Sequence, residues 1–157
     1  FDTQDYGRLF LKVDHYSSLH SKFVFIQNLT LGYLTSDSPY PTNGFQLGGV
    51  GENLINQVSF YGLNDAEVKT GSVASLQLGL QYKIAKSVYL TGRVNVALYN
   101  FHDQFDNLSA SNNFLSGYGL TFGFDSAIGP IEITSMYCDQ DGRLRTNLNL
   151  GFRFLNQ

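Results

Sequence analysis

Leu144-Arg145-Thr146-Asn147-Leu148-Asn149-Leu150-Gly151-Phe152-Arg153-Phe154, LRTNLNLGFRF, stands near the end of the chain. In an extended strand successive side chains point to opposite faces. Leu144, Thr146, Leu148, Leu150, Phe152 and Phe154 therefore share one face, and Arg145, Asn147, Asn149, Gly151 and Arg153 share the other. Period-two alternation of this length predicts a strand with one apolar and one wet face. A soluble sandwich would turn the wet face outward. A membrane barrel would turn the apolar face to lipid and the wet face to its lumen. The choice rests on whether the rest of the chain repeats the pattern.

Working backwards, it does. Ile131, Ile133 and Tyr137 oppose Glu132 and Thr134, after a turn at Ala127–Pro130 and before a turn at Cys138–Gly142. Tyr118, Leu120, Phe122 and Phe124 oppose Gly117, Gly119, Thr121, Gly123 and Asp125. Val88, Leu90, Val94, Val96 and Leu98 oppose Thr91, Arg93, Asn95 and Ala97; Leu76, Leu78, Leu80, Tyr82 and Ile84 oppose Ser75, Gln77, Gly79, Gln81 and Lys83. Further upstream, Lys22–Thr35 and Tyr6–Tyr16 read as strands around a polar turn at Ser17–Ser21, with Phe23, Phe25, Leu29, Leu31 and Tyr33 on the apolar face of the first. Seven strands of about 10–14 residues result, against about 9–11 for an oblique crossing of a bilayer and about 5–6 for an average soluble strand. The connections alternate: short at 17–21, long at 36–71, short at 85–87, long at 100–114, short at 127–129, with 139–143 as a short outer loop. Short turns on one side and long loops on the other are the layout of an outer-membrane barrel. That parity puts the last strand's end on the periplasmic side.

Composition excludes other classes. The net charge of −3, with no cluster of Lys or Arg, is not that of a nucleic-acid binder. Abundant Gly, Tyr and Phe with little Pro and no Trp suit strands rather than helices. No apolar run approaches the ~18 residues of a transmembrane helix, which leaves strand crossing open. One cysteine, Cys138, cannot pair within the chain. The opening at Phe1 reads as part of a longer precursor.

The ending Phe152-Arg153-Phe154 resembles the C-terminal signal strand of bacterial outer-membrane barrels, with Asn149 where that pattern usually has Gly and with Leu155-Asn156-Gln157 following. A long loop, five strands and then the end resembles the bacterial surface-antigen superfamily, which comprises barrel-assembly and two-partner-secretion translocators. Phe45-Gln46-Leu47-Gly48-Gly49 is similar to the Phe/Tyr-x-x-Gly-Gly element that opens that family's long loop. Phe60-Tyr61-Gly62 stands where the family has an Arg-Gly-Phe/Tyr tip, and no Arg is near it. The same loop, with the Gly129-Pro130-Ile131-Glu132-Ile133 hairpin, resembles the C-terminal barrel of Bacteroidetes-type patatin-like phospholipases. The resemblance spans about residues 6–154. It implies an all-β, antiparallel, up-and-down transmembrane barrel in the bacterial outer membrane. Residues 1–157 would be the last seven or so of about sixteen strands. The loop 36–71 would be extracellular and fold toward the lumen, with Phe45, Gly48, Gly49, Gly51, Phe60, Tyr61 and Gly62 as its motif. The implied partners are outer-membrane lipid, the barrel assembly machinery, and upstream strands of the same precursor or a partner chain.

Chemistry is hard to find. A patatin-type esterase needs Gly-x-Ser-x-Gly, which is absent here, so any esterase would lie upstream. His15, His20 and His102 fall at a strand end, a turn and a loop; His102 with Asp103 or Asp106 has no positioned nucleophile. Asp139-Gln140-Asp141-Gly142 lacks the spacing of a calcium loop and reads as a turn. Neither cofactor nor metal is expected. The two glycosylation-type triplets at Asn28 and Asn107 are read as chance, the first lying inside a strand. More informative are the charges placed on the wet faces: Arg8, Lys12, Asp14, Lys83, Arg93, Asp125, Glu132, Arg145 and Arg153. They would be hydrated or paired across strands, or would hold the Gly48–Gly62 region inside a barrel. Gly117, Gly119 and Gly123 clear space for such a loop, or let the sheet curve. Three functions stay open: a barrel that anchors or exports an upstream domain such as a patatin-like lipase, a translocase or insertase barrel, and a soluble sandwich binding ligand through its loops. Seven strands also pose a closure problem. An eighth could come from Phe45–Val50 or Val58–Leu63, or from another chain segment, and the second route is favoured.

Overall fold

The computed structural model describes residues 7–35, 44–51, 55–101, 113–127 and 129–151. Seven strands form one sheet: β1 (Arg8–His20), β2 (Phe23–Leu34), β6 (Ser72–Ala85), β7 (Val88–Tyr99), β8 (Phe114–Ser126), β9 (Gly129–Cys138) and β10 (Arg143–Leu150). Their spatial order is β1-β2-β6-β7-β8-β9-β10, and every neighbouring pair is antiparallel. This is a meander, since hairpins join each strand to the next, with one excursion between β2 and β6.

The excursion holds three short strands, β3 (Phe45–Leu47), β4 (Gln57–Val58) and β5 (Val68–Thr70), paired as a separate sheet in the order β4-β3-β5. The β3–β4 pair is parallel, the one departure from antiparallel pairing among the described strands. Neither loop piece joins the large sheet as an eighth strand. Gly48 and Gly49, at φ +129° and +84°, turn the chain out of β3 before a strand could lengthen.

The sheet has two unlike faces. One is bare and apolar: Leu76, Leu80, Val94, Val96, Leu98, Leu120, Phe122, Phe124, Leu148 and Leu150 are all exposed. The other is covered by the excursion and is largely polar, with Thr30, Ser75, Gln77, Thr91, Asn95, Thr121 and Thr134 buried. The apolar core lies between that face and the excursion, where Phe45, Leu47, Val58, Phe60 and Leu63 meet Leu34, Val73, Ala97, Leu115 and Cys138.

Three boundaries differ from the sequence reading, one of them at Cys138, which closes β9 and pairs with Gly117 and Arg143 instead of opening the turn. Ser17–Ser21 is not a turn: β1 runs on to His20, Ser17 and Ser18 pair with Phe25 and Val24, and only Ser21 and Lys22 turn. Serine weakens a strand, but a long partner supplies the ladder that decides the matter. Pro130 likewise belongs to β9 rather than to the turn; at the start of a strand its missing N–H costs little, and its carbonyl accepts from the Gly151 amide at 2.8 Å. Phe152, Arg153, Phe154, His102, Asp103, Asp106 and Asn107 lie outside the described residues.

Candidate functional site

The excursion seats on the sheet because the sheet lacks side chains where the segment must approach. A Cβ at Gly32 would stand 2.7 Å from the Phe45 ring. Phe45 is fully buried there and stacks on Phe10 of β1, with centroids 5.6 Å apart. On β8, Gly117 lies under the Tyr61 carbonyl and Gly119 under the Tyr61 ring, each so close that a Cβ would overlap it. Gly123 makes room for Tyr89 instead of the excursion.

Polar side chains then fix the seated tip. Asn95 of β7 accepts from the Tyr61 amide at 3.1 Å and donates to the Tyr61 carbonyl at 3.3 Å, so one side chain satisfies both backbone groups of that residue. Arg93 lies over the Tyr61 ring, 5.3 Å from its centroid, where a cation meets the negative face of the π system. Gly62 takes φ +110° and packs against the backbone of Tyr137 on β9. Arg145 of β10 donates to the Gly62 carbonyl at 2.5 Å and to Glu67 at 2.9 Å, and also pairs with Asp141 in the turn before β10. At the far side Arg8 of β1 donates to Asn56 at 2.5 Å.

Within the excursion the glycines act through their backbone. The Gly48 amide donates to Val58, Gln57 donates to the Gly48 carbonyl at 2.8 Å, and Gly49 exchanges bonds with Leu63 and Phe60. Gly51 is half-buried. Of the remaining wet-face charges, Lys12 pairs with Asp14 at 3.2 Å and Glu132 accepts from Tyr89 and Asn149. Lys83 and Asp125 border a cavity at the opposite end of the sheet. Sequence reasoning does not single out Asn95, Asn56, Gln57 or Glu67. Alternation alone makes Asn95 one wet-face residue among many.

The tip also carries a pH dependence. Burial pushes the Tyr61 phenol above its ordinary value of 10.0, against the opposing pull of the Arg93 charge and a hydrogen bond with Thr121. A phenol raised in the folded state favours folding while it is neutral. That contribution is intact below the unfolded value and is lost as pH rises through the folded one. Seating is therefore expected to survive to pH 10 and fail above it, read as increased protease cleavage within residues 44–70. A Tyr61→Phe chain should lose this alkaline transition. In the acid direction, the hydrogen bond from Arg145 holds the Asp141 carboxyl below its ordinary range, so that pairing persists until pH falls below the usual aspartate value.

Among the described residues no three His, Cys, Asp or Glu side chains are placed to hold a metal ion, and no helix is long and apolar enough to cross a membrane, which says nothing of crossing by strands. A family model described as the OMP85 superfamily matches residues 4–154, nearly the whole chain. The chain belongs to the OMP85 superfamily. No curated protein matches it significantly. In this OMP85-type chain the seven-stranded antiparallel sheet is part of a barrel wall.

Proposed function

We propose that this chain lines one side of an outer-membrane barrel that translocates or inserts polypeptide, with Gly44–Thr70 as a lumen-side loop controlling the passage. The observation that carries the reading is the inverted polarity of the sheet. Leu120 and Phe122 are 53% and 49% exposed on the bare face, while Gln77 and Thr91 are 3% and 2% exposed on the covered one. A soluble sandwich has the reverse distribution. Buried polar atoms on the covered face, Gln77 Nε2 and Arg93 Nε among them, have no partner among the described residues and suit a polar wall completed by ordered water.

Closure supports the same reading. In a seven-stranded meander β1 and β10 run the same way, so they cannot pair antiparallel with each other. In a bilayer each unpaired edge group costs several kcal/mol. Strands from upstream in the same precursor, or from a partner chain, therefore complete the barrel. The loop carries no arginine at Phe60-Tyr61-Gly62, and the contact comes from the wall instead, through Arg93 and Arg145. That departure from the translocator pattern favours, as a second reading, a barrel that anchors or exports an upstream patatin-like domain. A Gly-x-Ser-x-Gly elbow in the parent sequence would decide for it.

The test is electrical. In a planar bilayer the full-length protein should conduct weakly, and Arg145→Gln should conduct more and fluctuate more. The exchange removes charge-assisted bonds to Gly62 and Glu67 worth roughly 1–3 kcal/mol. Arg145→Lys should be intermediate, because a point charge cannot reach both acceptors in one plane. Identical traces from all three proteins would refute control by the seated loop.

A further inference from the structure

At the end of the sheet away from Tyr61, the turns Ser21-Lys22 and Lys86-Ser87 and the end of β8 enclose a cavity of about 410 Å³. It opens on the covered face, since Val24, Gln81, Lys83 and Tyr89 all point to that side. Three lysines line it: Lys22, Lys83 and Lys86. None of the three has an ion-pair partner among the described residues. The cavity's one carboxylate, Asp125, has an interaction of its own. Tyr89 holds the nearby Glu132 by a 2.7 Å bond, and Asn149 takes its second oxygen. Three cationic residues and one carboxylate thus share the lining of one cavity, in a chain whose net charge is −3. The lining carries a positive excess that an added anion would offset.

We infer that this cavity binds a phosphate ester, held by Lys22, Lys83 and Lys86, with the Ser21 hydroxyl and the Gln81 amide as neutral donors. Lysine suits that ligand as a compact point charge that approaches a phosphate from several directions. The cavity opens on the covered face, but Lys22 and Lys86 stand exposed in the turns at its rim, level with a bilayer surface, and this points to a source. Phe23 and Tyr82, cross-strand partners on the bare face one residue from Lys22 and Lys83, pack as a tilted pair with centroids 4.8 Å apart. Aromatic residues at strand ends mark the membrane interface, where lipid phosphates lie. A headgroup and a soluble phosphate ester share the same chemistry. The headgroup source rests on the proposed barrel; the binding of phosphate does not.

The experiment uses the full-length protein, its Lys83→Gln/Lys86→Gln double variant, and, as a control, Lys69→Gln at an exposed position of β5. Titration with inorganic phosphate and pyrophosphate in a zwitterionic detergent, followed by calorimetry, reads the site directly. Native mass spectrometry after exchange into phosphatidylglycerol or phosphatidylcholine nanodiscs reads the lipid arm. The expected result is saturable binding that weakens about tenfold for each lysine removed and is unchanged in Lys69→Gln. Retention of phosphatidylglycerol over phosphatidylcholine, lost in the double variant, assigns the site to a headgroup. Binding of pyrophosphate without lipid preference assigns it to a soluble ester. Heat-modifiable migration on gels confirms that each variant is a folded barrel, and if the double variant fails this check the single Lys86→Gln, in an exposed turn, replaces it. Binding by neither probe, or binding of equal strength in folded wild-type and variant proteins, would overturn the assignment.

Discussion

Gly117→Val is expected to lift the Tyr61 tip of the Gly44–Thr70 segment off the wall while leaving the wall folded. A Cβ at this position would overlap the Tyr61 carbonyl oxygen, and would stand 2.9 Å from Asn95 Nδ2 and 3.1 Å from the Phe60 ring. Neither side can shift while the tip stays seated. The Tyr61 carbonyl is held by Asn95 and the next carbonyl, that of Gly62, by Arg145, while β8 is fixed by ladders to β7 and β9. Forcing added volume into such a contact costs about 1–3 kcal/mol, comparable with what the anchoring bonds contribute. Because the Tyr61 tip is held by these few bonds, the rest of the segment by the buried core around Phe45 and Leu47, and the wall by six strand pairings, the tip is what gives way. Full-length Gly117→Val should show new protease cuts within residues 44–70 and a larger bilayer conductance, with heat-modifiable migration unchanged. Protease resistance equal to wild type would show that the segment does not depend on the bare backbone of β8.

How far such a result can be foreseen from the sequence differs between wall and loop. Alternation is visible only in groups of residues, and in the wall the groups are long: Leu76 to Ile84 and Tyr118 to Phe124 repeat the period several times over. A strand buried on one face must keep that period, since a slip of one residue would exchange its faces. The end of β1 escapes such a reading because Ser17 and Ser18 are turn-type residues whose conformation is set by pairing with β2, a tertiary effect. In the loop no period exists. Its order comes from contacts far apart in the chain, such as Tyr61 with Asn95 and Gly62 with Arg145. The glycines of β8 leave a trace, as gaps in a wet face, but a gap does not say which segment fills it. The charges on the wet faces are equally legible as a set, yet their partners, Asn56 for Arg8 and Glu67 for Arg145, are not.

The membrane reading makes its largest demand on Leu120. It sits at the middle of β8, more than half exposed on the bare face, opposite Gly92 and Ser135. With lipid against that face, Leu120→Arg places a guanidinium near the bilayer midplane and should destabilise the full-length barrel by roughly 2–4 kcal/mol. Phe124→Arg, close to the short-turn end of the same strand, should cost only about 0–1 kcal/mol, because the charge can reach the interface. Asn147→Lys on the covered face of β10 should also cost little, since a watered lumen hydrates it. Denaturant titrations of the proteins folded into lipid vesicles measure all three on one scale. A soluble sandwich would invert the ranking: an arginine at Leu120 would break up an exposed apolar patch and improve solubility, while a lysine at Asn147 would intrude on the packed side. The depth dependence is the decisive part, because aqueous solvent has no midplane and would give Leu120 and Phe124 the same small cost.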